Sequence, residues 1–263
     1  WSSDVCSSDL KKLVATAIKG TFASKSDRGL VRLHNEDRAA VLLNQKGDLL
    51  FVVCDGLGGH NKGDFASKLA IDMLMTAFAN NKGFWTSSSI KRFLARNIRA
   101  INRVIFQESN NDREMNNMST TLNAVVLTKN KMVSVNIGDS RFYLIDGEKI
   151  EQISEDDTVV SYLVRTNQIT EAEALVHPKR HIVTNALGTL PTVNFNFKRV
   201  KYRGEKILLC TDGLYNMVGE DEIVKILNTN KTIESKVDSL IALANNHGGA
   251  DNIGIALWEP DYD

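Results

Sequence analysis

The sequence predicts an α+β protein in which antiparallel sheets pack face to face with helices on their outer sides. Three observations carry this expectation. Apolar runs too continuous to face water, such as Phe51 to Cys54, Leu122 to Leu127 and Lys206 to Cys210, read as strands buried on both faces. These runs come in blocks with hairpin-length connections, which favours antiparallel pairing. Segments with apolar residues at helical spacing lie between the blocks, and such helices cover a sheet from outside.

The elements follow in order. Residues 1–10 have neither the basic start nor the apolar middle of a signal peptide. They read as a non-native extension, the in-frame translation of a sequencing-library adapter, and carry no fold expectation. Residues 11–263 read as a single domain, because only three prolines occur and no Pro- or Ser-rich linker divides them. Several strands are expected from about 13 to 55, with turns at Asp27-Arg-Gly and Gln45-Lys-Gly. Phe65, Leu69, Ile71, Leu74, Met75 and Phe78 place a helix over about 63–80. Ile90, Phe93, Leu94, Ile98, Ile101, Val104 and Ile105 place another over about 88–108. Strands return at Leu122 to Leu127, Met132 to Ile137 and Arg141 to Ile145. The more polar stretch 154–188 reads as short helices and loops, a candidate cover segment. Strands resume at 193–200 and 206–210, helices at about 220–228 and 232–246, and a last strand at 253–257.

Apolar content of 43% and charged content of 24% are those of a soluble globule, and 263 residues suffice for a sizeable core. The formal net charge is zero, which argues against a nucleic-acid or membrane partner. No stretch approaches the roughly 20 apolar residues of a membrane helix. A cytoplasmic monomer is expected. Cys54 and Cys210 each close a buried run, and an isolated buried cysteine usually acts as a small apolar residue.

Function is legible at the strand ends. Three apolar runs finish on an aspartate: Phe51-Val-Val-Cys-Asp55-Gly, Val135-Asn-Ile-Gly-Asp139-Ser and Leu208-Leu-Cys-Thr-Asp212-Gly. Asp251 stands just before the last strand-like run. Acids at several strand ends converge on one sheet rim. There each pair would repel by about 4 kcal/mol at about 4 Å and an effective dielectric near 20. Divalent cations are the usual remedy. Ahead of these comes a polar cluster, Ser26-Asp-Arg-Gly-Leu-Val-Arg32-Leu-His-Asn35-Glu36-Asp37. Taken singly, an Asp-Gly pair is most often a turn, Arg32 a surface cation, and Asp139 a turn cap or a partner of Arg141. Thr120 and Thr121 read as strand and core residues. His34, His177, His181 and His247 read as structural or exposed, although His177 and His181 could reach a substrate from the cover segment. A Gly-x₄-Gly-Lys-Ser/Thr loop, a dinucleotide fingerprint, a Cys-x₅-Arg nucleophile loop and a zinc-type Cys/His cluster are all missing from the sequence.

Asp55-Gly-Leu-Gly-Gly-His60, Met118-Ser-Thr-Thr121, Ile137-Gly-Asp139-Ser-Arg141, Cys210-Thr-Asp212-Gly213 and Gly249-Ala-Asp251-Asn252 join that polar cluster in a shared order. Together they resemble the metal-dependent Ser/Thr protein phosphatases of the 2C type, bacterial members above all, over about 24–257. The resemblance implies a four-layer α/β/β/α sandwich and two Mn²⁺ or Mg²⁺ ions between the sheet edges. Asp55 would bridge the ions, with the Gly56 carbonyl on one and Asp212 and Asp251 on the other. Glu36 and Asp37 would act through waters, Arg32 would grip the phosphate, and Asn252 would support Asp251. Asp139, with Asp212, matches a weaker third metal position. The implied reaction is hydrolysis of phosphoserine and phosphothreonine in proteins by a water activated between the ions, reversing a bacterial Ser/Thr kinase. A phosphatase dedicated to one regulatory partner of the anti-sigma antagonist type, or a non-catalytic phosphoprotein-binding module, are the alternatives. One departure stands out. Animal relatives have a histidine two residues after the bridging aspartate, where this chain has Leu57; His60 is a substitute candidate for the general acid.

Overall fold

The computed structural model describes residues 18–58, 62–111 and 117–261. The N-terminal decapeptide and His60 lie outside the described residues. The first half runs β1 (Gly20–Asp27), β2 (Asp37–Leu43), β3 (Leu49–Leu57), α1 (Lys62–Ala79), α2 (Ser87–Asn111), β4 (Ser119–Thr120), β5 (Leu122–Thr128) and β6 (Lys131–Ile137). The second half runs β7 (Arg141–Asp146), β8 (Lys149–Gln152), α3 (Val159–Arg165), α4 (Glu171–Val176), β9 (Asn196–Val200), β10 (Lys206–Cys210), α5 (Asp212–Tyr215), α6 (Glu220–Leu227), α7 (Ile233–Asn246) and β11 (Ile253–Pro260). One sheet has the order β1-β11-β10-β7-β8 and the other β2-β3-β5-β6-β9, with β4 beside β3. All of these pairings are antiparallel.

β3 explains the layering. Its side chains alternate in direction, and both sets are apolar. Leu50, Val52 and Cys54 join the core formed with α1 and α2, where Leu74, Phe78, Leu94 and Ile98 are buried. Leu49, Phe51 and Val53 turn the other way into a core shared with Phe142, Leu209 and Trp258 of the facing sheet. Phe51 and Trp258 meet edge to face at 6.3 Å. On the far side, Leu208 and Cys210 of β10 pack with Val224 of α6 and Leu240 of α7. The result is helix, sheet, sheet, helix, the expected four-layer sandwich.

Local differences have local causes. Phe65 is 40% exposed, and α1 instead buries Gly63, Ala66, Ala70, Ile71, Leu74 and Phe78. Small residues let the first turns of this helix lie almost against β3: a Cβ on Gly63 would sit 2.5 Å from the Gly56 carbonyl carbon. The cover segment does hold short helices. α3 is capped by Thr158, and α4 by a reciprocal Thr170–Glu173 box.

Candidate active site

The antiparallel order brings the acid-bearing strand ends together. Asp55 lies near the end of β3, Asp139 just past β6 and Asp212 just past β10, while Asp251 precedes β11, whose start lies beside the end of β10. Asp37, the first residue of β2, pairs in register with Asp55. Asp37, Asp139, Asp212 and Asp251 are all close enough to act electrostatically on Asp55. Glu36 stands a step aside, where its carboxyl interacts with Arg32 and Asp64. Arg32 reaches in from the β1–β2 connection, its guanidinium 2.8 Å from Asp251 Oδ2.

Hydroxyls and amides hold this rim in place. Thr121 Oγ1 accepts the Asp55 amide at 2.8 Å, and Thr120 Oγ1 donates to the Asp55 carbonyl at 2.9 Å. Thr211 Oγ1 donates to Asp37 Oδ2 at 2.6 Å and accepts the Gly254 amide at 2.7 Å, tying the two sheets. Asn252 accepts the Glu36 amide and donates to the Arg28 and His34 carbonyls, so it fixes the whole Arg32 loop. These three threonine roles leave no sequence signal, because a threonine in or beside a strand is ordinary. The lack of a Cβ at Gly56 also has a packing reason: a Cβ there would meet the Gly63 carbonyl oxygen at 2.1 Å.

Burial and crowding favour the protonated form of Asp37, Asp55, Asp139 and Asp212. Asp37 is raised to about 7, first by burial, with the neighbouring aspartates adding to it. Burial lifts Asp139 to about 6. Asp55 and Asp212 are pushed well above the ordinary carboxylate value, again by burial first and then by mutual repulsion. Two oxygens, Glu36 Oε1 and Asp139 Oδ1, are buried without a hydrogen-bond partner. Such atoms are costly unless something external binds them.

The residues present fit hard divalent cations. The donors are carboxylate and carbonyl oxygens, with Cys54 and Cys210 buried and their thiols pushed up by burial. Among the described residues, no three His, Cys, Asp or Glu side chains are already placed to hold a metal ion. An open oxygen-lined rim suits ions that retain several waters.

Asp139 is not paired with Arg141. The Arg141 guanidinium instead grips Asp156 at 2.8 and 3.0 Å and lies 3.6 Å above the Tyr215 ring, whose hydroxyl donates to the Asp139 carbonyl. Asp157 accepts the Gly138 amide and the Asn185 side-chain amide, so both ends of the cover segment are tied to the Asp139 turn. Between cover and rim opens a cleft of about 1040 Å³, lined by Asp139, Asp212 and Asp251 on one side and by Arg180 and His181 on the other. His177 bonds within its own turn and His247 bonds the Met217 carbonyl, both structural.

The family model described as protein phosphatase 2C matches residues 29–247 of this chain. The serine/threonine phosphatase stp of Listeria monocytogenes serotype 4b is 37% identical over 238 residues, covering 90% of this chain and 94% of that protein. Protein phosphatase PhpP of Streptococcus pneumoniae serotype 2 is 33% identical over 233 residues, covering 88% and 94%. Among solved structures, the S. agalactiae serine/threonine phosphatase superposes with a TM-score of 0.87 at 30% identity, covering 92% of this chain and 100% of that one. Stp1 from Staphylococcus aureus gives 0.86 at 33% identity, covering 94% and 96%.

Proposed function

This chain belongs to the protein phosphatase 2C family and is a protein-serine/threonine phosphatase, and from that premise we propose how its acid rim works. Asp55, the Gly56 carbonyl, Asp212 and Asp251 would hold two Mn²⁺ or Mg²⁺ ions as its resident cofactor. Glu36 and Asp37 would act through waters, and Asp139 with Asp212 would offer a weaker third position. Ions bound there supply positive charge and lower the pKa of water, which suits a hydrolysis as slow as that of a phosphate monoester. One observation carries the reading: five buried or half-buried aspartates crowd one rim, where Arg32 reaches in among them and Arg141 acts on Asp139.

The remaining roles fall to side chains. Arg32 offers a planar fork to two phosphate oxygens of the substrate, and its partner Asp251 holds that fork at the rim. Thr120, Thr121 and Thr211 fix Asp55 and Asp37 before substrate arrives, so little reorganisation remains. Leu57 has no proton to give the leaving seryl or threonyl oxygen. The cleft beneath the cover segment admits the peptide around the phosphoresidue.

The substrates are phosphoproteins, including a Ser/Thr kinase and its targets, met by a monomer in the cytoplasm. The test is phosphate release from a phosphothreonine peptide with and without Mn²⁺ and with a chelator. Turnover that needs Mn²⁺ and stops with chelator is expected. Equal turnover in chelator overturns the metal reading.

A further inference from the structure

We propose that the outer face of α2 is a docking surface for an anionic membrane. Arg92, Arg96, Arg99 and Arg103 are all exposed. At helical pitch they fall within about 60° of the circumference and span about 16 Å. With Ala95 and Ala100 as its floor, this stripe lines a shallow groove of about 400 Å³. None of the four arginines forms an ion pair with a described residue. α2 itself has no acidic residue before Glu108. Zero net charge therefore hides a concentrated positive stripe, and the sequence-based argument against a membrane partner rested on that sum.

A second, independent feature precedes the same helix. Trp85, two residues ahead of α2, is 88% exposed, more than any other large apolar side chain described. Its neighbour Phe84 is pinned inward, stacked on Phe78 at 6.0 Å and edge-on to Phe93 at 5.3 Å. The indole is thus presented outward from an anchored backbone. Tryptophan settles at the headgroup level of a bilayer, and arginines there attract anionic lipid.

Chemistry selects lipid over a protein partner. A stable protein interface needs about 800 Å² per side with an apolar centre. Two alanines and one indole supply too little. A charged plane needs only that basic side chains come within a Debye length and that an aromatic ring insert. No described helix is long and apolar enough to cross a membrane, so the attachment is peripheral and salt-sensitive.

The experiment is sedimentation of the full chain with phosphatidylcholine vesicles, with and without phosphatidylglycerol, alongside tryptophan emission. Binding only to the anionic vesicles is expected, lost at high salt, with a blue shift that disappears in Trp85→Ala. The variant R92Q/R96Q/R99Q/R103Q should bind about six hundredfold more weakly, given about fivefold per arginine near an anionic surface. Its circular dichroism and its turnover of a soluble aryl phosphate should be unchanged. Should that variant not fold, R96Q/R103Q spares Arg99, which lies over the Phe195 ring, and should lose about twenty-five-fold. The proposal is overturned if the wild type ignores anionic vesicles or if the substituted chain binds them equally. It is equally overturned if RNA or an acidic polypeptide binds the stripe while vesicles do not.

Discussion

β10 and β11 run side by side, and their two ends treat charge in opposite ways. At the far end, Glu259 of β11 meets Lys206 of β10 at 2.9 Å and Lys236 of α7 at 2.7 Å. Lys206 also donates to the Leu227 carbonyl and to Asn228 Oδ1. At the rim, Asp212 and Asp251 face Asp37, Asp55 and Asp139, with Arg32 beside them and Arg141 acting on Asp139. The far end is complete within the protein. The rim gathers acids without that matching positive charge, so the same two strands carry opposite charge environments at their two ends.

The largest expected effect breaks the rim. Asp55→Ala or Asp212→Ala should lower kcat by more than about a hundredfold, the scale for losing a transition-state partner. The metal-free protein should keep or gain melting temperature, because a repelling carboxylate has gone. Unfolding of both variants would show these acids to be structural. Glu259→Ala is the matching cut at the far end. It strands two buried ammonium groups and should cost about 3–5 kcal/mol of stability while leaving Mn²⁺ affinity unchanged. If chemical denaturation finds no loss, the far end is not the closed network described.

The pH dependence of stability sharpens the contrast. Burial favours a proton on Glu259, but the two lysines outweigh it and hold its pKa below the ordinary value. Its contribution is therefore full above that value and lost as pH falls. The rim behaves oppositely. Asp37 rises to about 7 and Asp139 to about 6, so the folded metal-free protein binds protons more tightly than the unfolded chain. Stability should be highest below about pH 4 for this term and decline through pH 6 to 7. Mn²⁺ should abolish the decline, since ions bind the ionised form. Calorimetry across that range, with and without Mn²⁺, decides it; a flat profile in chelator would falsify the crowding. The smallest effect is at Arg32. Its replacement by Ala should raise KM for a dianionic monoester about tenfold, as expected for one charge-assisted contact. An unchanged KM removes it from the phosphate.

Much of this was readable beforehand because strand burial and acid placement are written locally. An apolar run that ends on Asp55 or Asp212 reports both a core strand and its rim residue, and the antiparallel order then gathers them. Hydrogen bonds between distant segments leave no such trace. Thr211 on Asp37 spans 174 positions, and nothing near either residue signals the other. The Arg141–Asp156 grip, which displaces the simpler pairing with Asp139, is hidden for the same reason. Phe65 fits the helical period, yet it faces outward because the close approach of α1 to β3 admits only small side chains there.

The pairing of β1 with β11, Gly20 opposite Pro260, has a consequence during translation. The inner faces of β3 and β5 emerge from the ribosome long before Trp258, which covers Phe51. At about 5–20 residues per second, that sticky surface waits roughly ten to forty seconds for its lid. Nascent chains stalled before the last strand should be heavy clients of holding chaperones.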